Sequence, residues 1–265
     1  MLTLFKKNDV FPMLAFDHRG SFVKLLAHGG AEPTLAETIQ VKKDILEAVL
    51  PYMSGTLIDE DYGLPALEYM HTPLPYLLPL EKTGYTDALG ERITEIFRTP
   101  DELRARGAQA AKLLLYTNPN VPSWKTQMDT AHKQIESCRE AQMPLFLEFV
   151  LYKAGDIDSG TVVENVQKAI DEGVRPDVWK IPYPGSREAC MAITDMVGDT
   201  PWILLTGGTT FEMFKEQYEA ARDAGALGFL AGRALWQEVG ALWRDENAYH
   251  TFLKNELPRR FESLL

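Results

Sequence analysis

The sequence predicts a single (β/α)8 barrel spanning residues 1–265. Three observations predict it. Eight short apolar runs recur along the chain, helix-length amphipathic stretches lie between most of them, and polar residues collect where the runs end. The runs are 12–17, 55–59, 75–80, 110–116, 144–150, 176–181, 201–206 and 226–231. They are rich in Leu, Ile, Val and Phe and lack strict alternation with polar residues, as expected of parallel strands covered on both faces.

The intervening stretches follow helical spacing. Residues 34–50 place Leu35, Ile39, Val41, Ile45, Leu46 and Val49 along one side. Residues 161–174 do the same with Val162, Val163, Val166, Ala169, Ile170 and Val174. Residues 211–224 follow with Phe211, Phe214, Tyr218, Ala221 and Ala224, and Thr209 with Glu212 suits a capping box before them. The proline-rich stretch 65–79 reads as a loop entering strand three, and 236–265 as closing helices. A doubly wound sheet is the rival architecture, but it normally carries a glycine-rich turn after its first strand. Here Asp17-His18-Arg19-Gly20 follows instead. No linker, repeat or low-complexity segment divides the chain.

Composition narrows the function classes. A chain of 265 residues that is 45% hydrophobic can fill a large core, and its formal charge of −11 argues against nucleic acid or an anionic membrane as partner. Cys138 and Cys190 suit a reducing compartment and give neither a disulfide nor a zinc framework. The N-terminal MLTLFKKNDVF is too short and polar for a signal peptide, and no apolar run approaches the ~18 residues of a membrane span. The expectation is a cytoplasmic protein acting on a small molecule. A homo-oligomer is compatible with the sequence.

Three charges interrupt the apolar runs: Lys112 in strand four, Glu148 in strand five and Lys180 at the end of strand six. A single charge in such a run is costly to bury unless paired or neutralised. Two amines and a carboxylate on successive strands can lower the pKa of one amine, which a Schiff-base nucleophile needs. In a barrel the active site lies at the C-terminal ends of the strands. The other polar residues expected there are Asp17, His18 and Arg19 after strand one, Asp59, Glu60 and Asp61 after strand two, and Glu81 and Lys82 after strand three. Thr206-Gly207-Gly208 follows strand seven and Gly232-Arg233 follows strand eight. Any one of these alone suits a solvated loop, and a lysine can snorkel to the rim. The full set at one rim points to a site. Glycine-rich turns after strands seven and eight often hold phosphate through backbone N–H groups, and Arg233 adds a charge-assisted fork.

Of the five histidines only His18 sits at a strand end, and no H-x-x-x-H or C-x-x-C spacing exists. Metal chemistry is therefore not expected, although Asp59, Glu60 and Asp61 leave a magnesium site open. No G-x-S-x-G elbow supports a Ser-His-Asp arrangement.

Several segments resemble the class I tagatose-bisphosphate aldolase family and its relative sulfofructosephosphate aldolase. They are residues 14–21 (LAFDHRGS), 112–116 (KLLLY), 146–148 (FLE), 178–180 (VWK) and 228–236 (GFLAGRALW). Residues 17–22 (DHRGSF), 81–84 (EKTG) and 176–181 (PDVWKI) also resemble the barrel domain fused to a sugar kinase in some inositol-catabolism proteins. The resemblance covers about residues 12–240. It implies a barrel carrying out aldol chemistry through an imine on lysine, with no metal or other cofactor. By position Lys180 matches the imine-forming lysine, Glu148 the acid/base carboxylate, and Lys112 a second lysine that lowers the pKa of the first and helps bind substrate. Asp17 and His18 match hydroxyl-binding positions, while Gly207, Gly208, Gly232 and Arg233 match the phosphate site. Arg19, Asp59 and Thr206 complete the expected substrate contacts. The tagatose and sulfofructose enzymes usually carry glutamine where this chain has His18, and this chain looks trimmed around strands two to four. The implied function is cleavage of a phosphorylated ketose to dihydroxyacetone phosphate and an aldehyde. A 5-dehydro-2-deoxyphosphogluconate aldolase and a non-catalytic sugar-phosphate-binding barrel are the alternatives.

Overall fold

Each of the eight apolar runs forms a strand in the computed structural model, which describes residues 1–28, 30–88, 90–152 and 159–265. In chain order the elements are β1 (Phe11–Phe16), α1 (Gly20–Ala27), α2 (Leu35–Val49), β2 (Gly55–Ile58), α3 (Gly63–Met70), β3 (Tyr76–Pro79), β4 (Thr86–Ala88) and β5 (Glu91–Ile93). The middle of the chain supplies α4 (Pro100–Ala105), β6 (Ala110–Thr117), α5 (Ser123–Glu140), β7 (Leu145–Leu151), α6 (Ser159–Asp171), β8 (Val178–Ile181), α7 (Arg187–Val197) and β9 (Trp202–Leu204). The last part supplies α8 (Phe211–Arg222), β10 (Gly228–Ala231), α9 (Arg233–Trp236), α10 (Val239–Leu242), α11 (Glu246–Thr251) and α12 (Leu257–Glu262).

Eight parallel strands close into a barrel in the order β1-β10-β9-β8-β7-β6-β3-β2, with β2 returning to β1. Alternation along the strands divides the apolar residues into two cores. Phe11, Met13, Leu57, Leu77, Phe146, Val178, Ile203 and Leu230 point inward, and Phe5 from the N-terminal turn plugs the bottom. The intervening residues point outward against the helices. At Gly228 the φ is +142° and a Cβ would stand 2.4 Å from the Phe11 carbonyl oxygen, so only glycine lets β10 start this close to β1.

The expected helix over 34–50 is α2, capped by a reciprocal Thr34–Glu37 box, although Leu35 is exposed rather than packed. Two expectations are corrected, and one element has no counterpart among them. Part of the stretch read as a loop over 65–79 is helical, because Ala66 and Met70 bury one side of α3. The cap of α8 is Thr210, whose side chain accepts from the Met213 N–H, rather than a Thr209–Glu212 box. The antiparallel hairpin β4–β5 had no signal in the apolar pattern, since its residues are exposed or half-buried. It packs over β6 and β7. Thr94 donates to the Leu114 carbonyl at 2.8 Å, Tyr152 donates to Glu91 at 2.6 Å, and the Arg92 guanidinium lies 4.7 Å from the Tyr85 ring. Among the described residues no helix is long and apolar enough to cross a membrane.

Candidate active site

The inner face of the barrel changes from apolar to charged one step above its core. Two residues beyond Ala15, Ala110, Phe146 and Val178, alternation delivers Asp17, Lys112, Glu148 and Lys180 to the C-terminal mouth. A cavity of about 450 Å³ opens there. It is lined by these four side chains, by His18, Arg19 and Glu81, and by the turns at Thr206-Gly207-Gly208 and Gly232-Arg233.

Register places the two most informative charges side by side. Glu148 on β7 pairs across the ladder with Lys180 on β8, and Lys180 Nζ lies 2.7 Å from Glu148 Oε2. Lys112 Nζ approaches the same oxygen at 3.7 Å, reaches Asp17 Oδ2 at 3.2 Å, and forms an ion pair with Glu81 Oε1. All five side chains of this network are largely shielded from water, with Asp17 the most exposed at 23%, so their interactions are strong. Burial alone would drive the Lys112 amine towards neutrality, but Glu81, Asp17 and Glu148 overcome it and hold it protonated, above the ordinary lysine range. Burial opposes the charge on Asp17, but Lys112 and Lys180 pull its carboxyl well below the usual range. Glu81 moves the other way: burial raises it and outweighs the attraction of Lys112. Its Oε2 is buried with no hydrogen-bond partner among the described residues.

His18 is held near neutrality. Its ring stands edge-on to Trp236 at 5.1 Å, and burial, opposed by Asp17, lowers its pKa to about 4. Its Nδ1 is buried without a hydrogen-bond partner among the described residues. Arg19 lines the mouth and faces Asp61 at 3.7 Å. Gly207 and Gly208 both have positive φ, +59° and +82°, so this turn needs glycine. Arg233 Nη2 is the heavy atom nearest to where a Cβ of Gly208 would stand, at 3.8 Å, so the two glycine turns and the guanidinium meet at one corner of the mouth.

Asp59 is corrected. It is not a wall of the cavity but fully buried beside it. The β2 ladder ends at Ile58, and the chain turns before alternation can send Asp59 inward. Its Oδ1 accepts from the backbone N–H groups of Asp61 and Tyr62 at 3.0 and 2.8 Å, and its Oδ2 pairs with Lys42. Lys42 also donates to the carbonyls of Phe16 and His18 at 2.7 and 2.9 Å, on either side of Asp17. Glu60, next in the same acidic stretch, is bound by Arg98 and Arg106, both at 2.9 Å.

Two buried charges at this end of the barrel are not among the expected site residues. Glu81 stands at the end of strand three beside the exposed Lys82, as an ordinary loop residue would. Lys42 carries a clearer signal, since it lies on the Ile39–Leu46 stripe of α2, where an amine has no water. Among the described residues no three of His, Cys, Asp and Glu are grouped to hold a metal ion.

Residues 3–265 match the family model described as "Uncharacterized protein conserved in bacteria (DUF2090)". The chain is 30% identical to a tagatose 1,6-diphosphate aldolase of Enterococcus faecalis, over 97% of this chain and 89% of that protein. It is 29% identical to one from Streptococcus mutans, over 89% of this chain and 83% of that protein. The fold matches that of an archaeal fructose-1,6-bisphosphate aldolase whose catalytic lysine is covalently bound to a carbinolamine intermediate. The TM-score is 0.69 at 18% identity, over 99% of this chain and 96% of that one. The chain belongs to the DUF2090 family and to the tagatose 1,6-diphosphate aldolase family.

Proposed function

We propose that this member of the tagatose 1,6-diphosphate aldolase family is a class I aldolase that cleaves a phosphorylated ketose through an imine on Lys180. One observation carries the reading. The Lys180 amine lies 2.7 Å from a carboxylate that a second, permanently charged amine also touches, at the mouth of a barrel. A passive sugar-phosphate binder has no use for a nucleophile paired with its own proton acceptor.

The steps follow from the positions. Glu148 takes a proton from the Lys180 ammonium, and the free amine adds to the C2 carbonyl of the substrate. Glu148 then returns the proton to the carbinolamine hydroxyl, water leaves, and an iminium remains. A carboxylate removes the C4 hydroxyl proton, for which Glu148 is the nearest to the nitrogen. The C3–C4 bond breaks, its electron pair moves into the iminium to give an enamine, and the aldehyde departs. The enamine is protonated at C3, and hydrolysis releases dihydroxyacetone phosphate and restores Lys180. Lys112 remains charged throughout and stabilises negative charge developing on substrate oxygens. The backbone N–H groups at Gly207 and Gly208, with Arg233, hold the phosphate next to C1.

Tagatose 1,6-bisphosphate is the first substrate to try, because the relatives carry that name. A product assay for dihydroxyacetone phosphate, run on tagatose 1,6-bisphosphate, sulfofructose 1-phosphate and 5-dehydro-2-deoxygluconate 6-phosphate, tests the reading. Release from at least one of them, lost in Lys180→Met, is the expected result. No release from any ketose phosphate would leave only the binding role.

A further inference from the structure

We propose that Glu81 is a positioning residue that ties the Lys112 ammonium to the β3 side of the mouth and so keeps Glu148 free for Lys180. The inference rests on the aldolase reading of Lys180 and adds a residue that acts on the chemistry without touching the substrate.

Three observations carry it. First, neither carboxyl oxygen of Glu81 is open to a ligand. Lys112 takes Oε1, and Oε2 is buried. Any effect of Glu81 on the chemistry therefore passes through Lys112. Second, Glu81 stands on a fixed backbone. The β3–β6 ladder runs up to Pro79 and Lys112, and the Leu80 N–H then donates to the Lys112 carbonyl at 2.9 Å. The chain leaving the hairpin holds the other side. The Phe97 and Arg98 N–H groups donate to the Leu80 carbonyl at 2.8 and 3.0 Å, and the Lys82 N–H donates to the Glu95 carbonyl at 2.9 Å. The flexible lysine stem thus meets a carboxylate on a pinned segment. Third, the donors of Lys112 are shared unequally. An ammonium has three N–H bonds. Glu81, and Asp17 at 3.2 Å, lie within hydrogen-bond reach of Lys112 Nζ, whereas Glu148 at 3.7 Å lies beyond it. Lys180 Nζ sits 2.7 Å from Glu148, its only ion-pair partner among the described residues. Lys112 pairs across the ladder with Phe146, two residues below the Glu148–Lys180 pair, so a Lys112 side chain released by Glu81 has Glu148 as its next carboxylate. A direct bond there would give Glu148 two cations and weaken it as acceptor of the Lys180 proton.

The test places Glu81→Gln, which keeps the shape and removes the charge, in two backgrounds. The readouts are kcat and KM for ketose cleavage and the rate of imine formation with dihydroxyacetone phosphate, trapped by borohydride. In the wild-type background kcat and the imine rate should fall by at least about tenfold, the effect of losing one charge-assisted contact. KM should stay within about twofold, because the corner at Gly207, Gly208 and Arg233 is untouched. In a Lys112→Met background the same substitution should change the imine rate by less than about twofold, since a residue that acts through Lys112 has nothing left to act on. A nearer cation holds a carboxylate ionised to lower pH, so the acid limb of kcat/KM should also move down in pH in Glu81→Gln. The other titratable groups around this network, Asp17 and His18 after β1, Tyr116 on β6 and Lys180 on β8, are unchanged in that variant. The limb is read on the single variant, so it decides the question even where Lys112→Met does not fold. An equal loss in both backgrounds, wild-type turnover in Glu81→Gln, or an unmoved acid limb overturns the assignment. Trapping on the wild-type protein separates the two levels. No adduct overturns the aldolase reading together with this inference, and an adduct with equal losses in both backgrounds overturns this inference alone.

Discussion

Lys42 and Lys180 are both buried within reach of carboxylates, yet they stand in opposite settings. Lys42 is sealed between α2 and the ends of β1 and β2, with its amine against the Phe16 carbonyl, the His18 carbonyl and Asp59. Lys180 is 4% exposed and opens onto a cavity, with its carboxylate partner shared by Lys112. Burial and charge are therefore common to both. They differ in what is left over: around Lys42 the donors are consumed by fixed acceptors, whereas the network around Lys180 keeps an open side and an unpaired oxygen on Glu81. The first arrangement holds a backbone in place. The second leaves room for a ligand.

Removing each amine should sharpen that contrast. Lys180→Met should lower kcat/KM for ketose cleavage by at least about 10⁴-fold, since a covalent nucleophile has no substitute. Its thermal midpoint should stay close to that of the wild type, because Glu148 retains Lys112. Lys42→Met should act on stability instead. It strands the buried carboxylate of Asp59 and should cost about 3–5 kcal/mol in denaturant unfolding. The double variant Lys42→Met/Asp59→Asn should recover part of that loss. If the single variant is as stable as the wild type, the pair is not the fastening the geometry indicates.

A smaller effect links the two regions through His18, whose carbonyl Lys42 holds and whose ring faces the cavity. Folding lowers the His18 pKa to about 4 from an ordinary value of 6.5. Between those values the unfolded chain binds a proton that the folded one does not, so stability is full above pH 6.5 and declines as pH falls towards 4. The loss amounts to about 3 kcal/mol at most. His18→Gln should flatten this part of the stability curve relative to wild type. An identical slope in both proteins would mean that His18 charges as freely when folded as when unfolded. At the other side of the mouth, Arg233→Ala should reduce kcat/KM for phosphorylated ketoses by about ten- to hundredfold, the effect of losing about 1.5–3 kcal/mol of charge-assisted contact. It should leave the slower reaction of an unphosphorylated analogue nearly intact. Equal losses for both substrates would assign Arg233 to the fold.

The sequence made the barrel legible because its strands are covered on both faces, and unbroken apolar runs are the only way to cover them. It also exposed Lys112, Glu148 and Lys180, since a charge inside such a run stands out. Hairpin β4–β5 was not legible: three-residue strands with exposed or half-buried side chains leave no apolar period. Asp59 misled for a different reason. Its position two residues beyond an inward-facing leucine promised a place in the mouth, but the strand stops one residue short and the turn takes the side chain aside. Lys42 gave a readable signal, an amine on a buried helical stripe, whose partner lay 17 residues away and could not be named without the fold. Glu81 was visible at a strand end, yet the unpaired oxygen that distinguishes it is a property of packing.

Of the buried amines, Lys180, and not Lys42 or the neighbouring Lys112, is the one proposed to bond to the substrate carbon. Incubation with dihydroxyacetone phosphate and borohydride, followed by proteolysis and mass mapping, tests it directly. One reduced adduct, on the peptide containing Lys180, and none in Lys180→Met is the expected result. An adduct on Lys112, or ketose cleavage by the wild-type protein with no adduct anywhere, would contradict it.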